Sequence, residues 1–183
     1  MTRTELEAKC RRVKAVITDV DGVLTDGGMY YSESGDELKK FNVRDGVGVV
    51  LLKLAGIKVG AMTGEKTALV ERRLLKIGGD FLYVGIEDKL ACLGEIVRNL
   101  QVLPENVAYV GDEINDYALL GQVGLFLTVA DANPLVKAKA DHVLETRGGE
   151  GALREAAALI LEAQGRIEEA LEAYCVEHSG PVS

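Results

Sequence analysis

Six short apolar runs, alternating with segments of helical pattern, constrain this chain more than any other feature. They are KAVITDV (14–20), IKVGAMT (57–63), FLYVG (81–85), NVAYVGD (106–112), GLFLTVA (124–130) and HVLE (142–145). Strands that are apolar on both faces and are separated by helices form a parallel sheet covered on both sides. The expected fold class is therefore α/β, a Rossmann-like, doubly wound parallel sheet. Helices are predicted over 45–56, with Asp45 near the N-cap and Gly56 at the end, over 67–77, closed by Gly78 and Gly79, and over 89–100. Pro104 breaks the chain, a short helix covers 116–120, and Asn133-Pro134 reads as an N-cap followed by proline at the first helical position. Leu153, Ala156, Ile160, Ala163, Ile167, Leu171 and Tyr174 recur every three or four residues, which predicts one long helix over 151–177. Gly165 weakens that helix by about 1 kcal/mol relative to alanine. Two short flanks around Ser34-Gly35-Asp36 predict a β-hairpin over 29–41. The expectation is one domain over 1–177 with a loose tail at 178–183.

Composition narrows the function. The net charge of −8 repels phosphate backbones and makes nucleic acid a poor partner. Any site for an anionic substrate must then rely on local cations, a metal or backbone N–H groups. Cys10, Cys92 and Cys175 have no metal-ligand spacing and read as reduced thiols. The opening MTRTELEAKCRR is polar, and no apolar run approaches the roughly 18 residues of a membrane span. A soluble, cytoplasmic protein with no membrane partner is expected.

In a doubly wound sheet, ligands bind beyond the carboxyl ends of the strands. The strand ends here carry Asp19 and Asp21, then Thr63 and Gly64, then Gly111 and Asp112, with Lys89 opening a helix. Clustered carboxylates repel one another unless a cation lies among them. A hard-oxygen set beside a phosphate suits Mg²⁺. Asp19 can act as nucleophile and metal ligand, Asp21 as the proton donor to the leaving oxygen, and Lys89 and Thr63 as holders of the phosphoryl oxygens.

DVDGVLTDGG (19–28), Thr63-Gly64, Lys89 and GDEIND (111–116) resemble, in order, the four motifs of the haloacid-dehalogenase superfamily of phosphotransferases. FNVRDG (41–46), TGEKTALVERR (63–73), Asn106 to Asp112 and RGGEGALRE (147–155) further resemble its small cap-less phosphatases of 3-deoxy-octulosonate 8-phosphate. Similar segments occur in phosphatases of nine-carbon keto-deoxy sugar acids. The resemblance implies an Mg²⁺-dependent phosphomonoesterase that forms an aspartyl phosphate on Asp19, with Asp21 as general acid/base and Thr63 and Lys89 on the phosphoryl group. It implies metal ligation by Asp19, the backbone carbonyl of Asp21 and Asp112, with Asp116 supporting Lys89 or the metal's ligands. It places Asn42, Val43, Arg44, Asp45, Gly46, Gly64, Glu65, Arg73 and Lys76 at the substrate. The eight-carbon enzymes usually carry arginine at the positions of Val50 and Glu65, whereas Glu65 and Lys76 match the nine-carbon enzymes. Arg44, within FNVRDG, matches the eight-carbon wording. An eight-carbon product fits lipopolysaccharide synthesis.

Larger members of the superfamily close the site with a cap domain, but this chain has room only for the hairpin between Gly28 and Phe41. The cap-less family is typically tetrameric, which implies a homotetramer with Tyr30, Tyr31 and Phe41 in contacts between copies and a neighbour helping to close each site. Individually, Thr63 and Asp116 also read as helix caps, Lys89 as a surface lysine, Glu65 and Lys76 as a solvated helix face, and RGGEG as a glycine turn or a flap carrying Arg147. A response-regulator receiver combines similar residues without catalysis, but it places its phosphorylated aspartate on the third strand and has nothing like GDEIND after the lysine. A domain kept only for assembly is the remaining alternative.

Overall fold

The structure, a computed structural model, describes residues 1–35 and 37–178. In chain order the elements are α1 (Arg3–Cys10), β1 (Ala15–Thr18), β2 (Tyr30–Tyr31), β3 (Glu37–Leu38), α2 (Val43–Leu54), β4 (Lys58–Met62), α3 (Ala68–Ile77) and β5 (Phe81–Tyr83). There follow α4 (Lys89–Leu100), β6 (Val107–Gly111), β7 (Leu125–Thr128), α5 (Pro134–Lys137), β8 (His142–Val143), α6 (Ala152–Ala163) and α7 (Ile167–His178). Short 3-10 turns at Pro104–Asn106 and Ile114–Leu119 lead into and out of β6.

Six strands form one parallel sheet in the order β5-β4-β1-β6-β7-β8. Alternation along each strand splits the core in two. Val16, Val59, Ala108, Val110, Leu125 and Leu127 face α1, α2, α3, α6 and α7. Ala15, Ile17, Met62, Val107, Tyr109 and Phe126 face α4 and α5. The chain leaves β1 toward β4 on one side and later returns to β6 on the other. That reversal opens a crevice at the carboxyl ends of β1 and β6, where a doubly wound sheet holds its ligand. Between β1 and α2, β2 and β3 form the antiparallel hairpin, and the described residues include no cap domain.

Three expectations need correction. The helix expected over 45–56 begins at Val43, because the Asn42 side chain accepts from Arg44 N–H and takes the cap. Asp45 lies inside the first turn, where it is buried and accepts from Leu153 and Arg154 N–H at the start of α6. The single helix expected over 151–177 is two helices, α6 and α7. Gly165 takes φ 67°, a left-handed conformation that ends a helix rather than continuing it. α7 then folds back, and Ile167, Ala170 and Tyr174 join the core beside α2. The short helix expected over 116–120 is the 3-10 turn, with Glu113 at its N-cap and Asp116 completing the capping box by accepting from Glu113 N–H. His178 ends α7, and the rest of the expected tail lies outside the described residues.

Candidate active site

Asp19 follows β1 directly and is only 3% exposed. Its Oδ1 accepts from Val20 N–H at 2.7 Å and its Oδ2 from Lys89 Nζ at 2.8 Å. Asp112 follows β6, whose last peptide is tied to β7 by the Thr128 hydroxyl donating to the Gly111 carbonyl. The loop after β1 passes so close that a Cβ on Gly22, which has φ 87°, would lie 2.0 Å from Asp112 Oδ2. Only glycine allows both the turn and this approach. Thr63, at the end of β4, is buried, and its hydroxyl accepts from Glu65 N–H. Asp19, Asp21, Thr63, Gly64, Glu65 and Asp112 share one cleft of about 370 Å³, together with Gly22, Gly27, Glu113 and Asn115.

Lys89 sits behind Asp19, not in the open cleft. It is the first residue of α4, which Asp88 caps by accepting from Ala91 N–H. Its ammonium donates to Asp19 Oδ2 (2.8 Å), Asp116 Oδ1 (2.6 Å) and the Tyr109 hydroxyl (3.1 Å), which accounts for all three of its protons. Burial opposes its charge, but Asp19 and Asp116 outweigh burial and raise its pKa. Tyr109 is a residue that sequence reading missed. Its position on β6 points it at α4, and its hydroxyl also donates to Asp116 Oδ1 at 2.5 Å. The available signal was a lone aromatic in an otherwise aliphatic strand, two residues before Gly111.

Ligand-donor atoms of Asp19, Asp112 and Asp116 lie within 4.8 Å of one another, so the group could hold a metal ion. Asp116 is already committed: Oδ1 accepts from Lys89 and Tyr109, and Oδ2 from the N–H groups of Asp112 and Glu113. Asp112 is not, since its buried Oδ1 has no partner. Three carboxylates and one ammonium leave a charge of about −2 in a buried setting, which favours a divalent cation. The cost shows in the pKa values. Burial, then Asp19 and Asp116, push Asp112 up to about 8, and burial with Asp116 lifts Asp19 to about 6. The donor set therefore fits a hard divalent ion held by Asp19 and Asp112.

A family profile for haloacid dehalogenase-like hydrolases matches residues 85–154. The 3-deoxy-D-manno-octulosonate 8-phosphate phosphatase KdsC of Escherichia coli is 45% identical over 166 residues, which is 91% of this chain and 88% of the relative. The chain belongs to this family of haloacid dehalogenase-like phosphatases. The crystal structure of the Yersinia pestis 3-deoxy-D-manno-octulosonate 8-phosphate phosphatase matches the phosphatase with a TM-score of 0.87 and 43% identity, covering 90% of this chain and 89% of that one. A Moraxella catarrhalis enzyme of the same name, in complex with magnesium ion, phosphate ion and a KDO molecule, matches with a TM-score of 0.91 and 32% identity, over 94% and 99% of the two chains. Family membership sets aside the receiver and assembly-only readings.

Of the residues expected at the substrate, only Gly64 and Glu65 line the cleft of the phosphatase. Asn42 caps α2, and Val43, Arg44, Asp45 and Gly46 form its first turn. Asn42 donates to the Gly149 carbonyl, and a Cβ on Gly151 would lie 3.1 Å from Arg44 Cβ. Val43 and Arg44 are exposed, whereas Asp45 is sealed against α6. Arg73 lies over the Phe41 ring at 5.7 Å and donates to the Asn42 carbonyl at 2.6 Å. Lys76 is exposed on α3. RGGEG is a brace: Gly149 N–H donates to the Val23 carbonyl, and Arg147 pairs with Asp131. A larger hollow of about 560 Å³ lies beside α1 and α6; two of its acidic groups, Glu7 and Asp141, are paired with Arg11 and Lys9, and the third, Glu162, is exposed. Cys10 and Cys92 are buried and their thiols pushed up to about 11, which keeps them unreactive. Among the described residues no helix is long and apolar enough to cross a membrane.

Proposed function

We propose that this phosphatase hydrolyses 3-deoxy-D-manno-octulosonate 8-phosphate through an aspartyl phosphate on Asp19, and that it serves lipopolysaccharide synthesis in the cytoplasm. The observation that carries this reading is the convergence of Asp19, Asp21, Thr63 and Asp112 on one cleft in a chain 45% identical to KdsC. Asp19 attacks phosphorus as the ester P–O bond breaks, and the departing oxygen takes a proton from Asp21. Water then attacks phosphorus and passes a proton to Asp21. The bond to Asp19 breaks, and inorganic phosphate leaves. Lys89 holds Asp19 in line, and the Thr63 hydroxyl and Gly64 N–H receive the phosphoryl oxygens. Mg²⁺, held by Asp19, the Asp21 carbonyl and Asp112, neutralises charge on those oxygens when bound.

A second reading, a nine-carbon sugar acid 9-phosphate, is favoured by one observation: Glu65 lines the cleft where the eight-carbon pattern has arginine. Side-by-side kcat/KM values on the two phosphorylated acids decide between them, and the first reading expects preference for the eight-carbon ester. Activity should require Mg²⁺ and stop on chelation. Asp19→Asn should lower kcat by at least about 10⁴-fold in a chain that still folds, because it removes the nucleophile at nearly constant volume. Its melting should fall below wild type, since the amide NH2 must face either Val20 N–H or the Lys89 ammonium. Wild-type-like turnover in that variant would end the covalent mechanism.

A further inference from the structure

Lys39 follows β3 on an otherwise exposed hairpin, yet its side chain is 0% exposed. Burying an ammonium is costly unless a partner compensates. The partner is Asp21: Lys39 Nζ donates to Asp21 Oδ1 at 2.7 Å. Glu37 Oε1 lies farther from the ammonium, at 3.9 Å. Two residues beyond Lys39, the backbone of Phe41 bridges that of Thr25, so the base of the hairpin is fixed to the loop that carries Asp21. The Thr25 hydroxyl adds a weaker contact to Asp21 Oδ1 at 3.4 Å. Asp21 Oδ2 is buried and has no partner, and Asp21 lines the cleft. The two oxygens of one carboxyl group are thus in different settings, one held by the hairpin and the other free.

We propose that Lys39 is a positioning residue for the phosphatase reaction: it holds Oδ1 of Asp21 so that Oδ2 faces the oxygen of the leaving alcohol. This rests on the reading of Asp21 as general acid/base. Because Oδ1 is occupied by the Lys39 ammonium, Oδ2 is the oxygen placed to pass a proton across the cleft. That proton goes to the leaving oxygen as the ester P–O bond breaks and is replaced by a proton from the attacking water. The hairpin then belongs to the catalytic machinery as well as to any contact between copies.

A proton donor matters more as the leaving group becomes a poorer one, whereas general damage to the fold lowers every rate alike. The test is kcat/KM of the full chain on p-nitrophenyl phosphate and on phenyl phosphate, for wild type, K39M and D21N. In K39M the value for phenyl phosphate is expected to fall about tenfold further than that for p-nitrophenyl phosphate, and D21N should show the same bias more strongly. Equal losses on both esters in K39M, with the bias present in D21N, would overturn the proposal and leave the reading of Asp21 standing. No bias in D21N would remove that reading and the proposal with it. Where melting shows K39M to be unfolded, K39Q replaces it. If neither folds, Lys39 is a structural latch and the proposal fails.

Discussion

At the scale of single residues, the site depends on how one buried ammonium is shared. Lys89 has Asp19 on one side and Asp116 with Tyr109 on the other. A buried charge is tolerated only when its hydrogen bonds are complete, and losing one costs about 1.5–3 kcal/mol where a charged group is involved. Tyr109→Phe deletes the hydroxyl that serves both Lys89 and Asp116 at almost constant volume. The expected outcome is a loss of about 2 kcal/mol in urea unfolding and a fall in kcat of about tenfold, as Lys89 loses one of its fixed directions. Unchanged stability would mean that the hydroxyl is replaceable by water. Asp19 and Asp112 were legible in the sequence because strand ends gather at one edge of a parallel sheet, and Lys89 only through the order of the motifs around it. Tyr109 was not, since its role depends on which face of β6 meets α4.

At the scale of elements, Asp45 shows how a motif residue can serve the framework. FNVRDG reads as a substrate motif, yet its aspartate joins the N-terminus of α6 to that of α2. Burial lifts its pKa to about 6 against a partial offset from the Arg154 and Leu153 N–H groups, while its Oδ2 has no partner. Between about pH 4 and 6 the folded chain therefore holds a proton that the unfolded chain has released. The Asp45 contribution to stability is greatest at the acid end of that window and is lost as pH rises through about 6. Asp45→Asn removes this dependence. Its unfolding free energy relative to wild type should rise by about 2–3 kcal/mol from pH 4 to pH 7, measured by denaturant titration at both. A constant difference would place Asp45 fully ionised across the range, held by the two helix N-termini.

At the scale of the whole molecule, the hairpin leaves an apolar edge in solvent. Tyr31 and Leu38 are 69% and 63% exposed, and Met29 and Tyr30 are also exposed. A two-stranded ribbon is marginal alone, and an apolar strand edge invites pairing with another chain. We propose a homotetramer joined through these hairpins, in which a neighbour helps close the cleft. Phe41, also expected among the contacts, is partly buried against the main core beneath Arg73. Sedimentation at micromolar concentration should give four chain masses, and Leu38→Asp should give smaller, folded species. A wild-type monomer would refute the assembly.

By itself the sequence determined the sheet, the order of its strands along the chain and the carboxylates at their ends. These follow from local rules: apolar runs of strand length, glycine and proline punctuation, and side chains that cap helices. Tertiary structure alone decided where α7 goes after Gly165, which carboxylates remain open to a cation, and that Asp45 faces α6. It also decided that Lys39 reaches Asp21 and Tyr109 reaches Lys89. Those outcomes depend on which surfaces meet across residues far apart in the chain, and a buried charge takes whatever partner that meeting supplies.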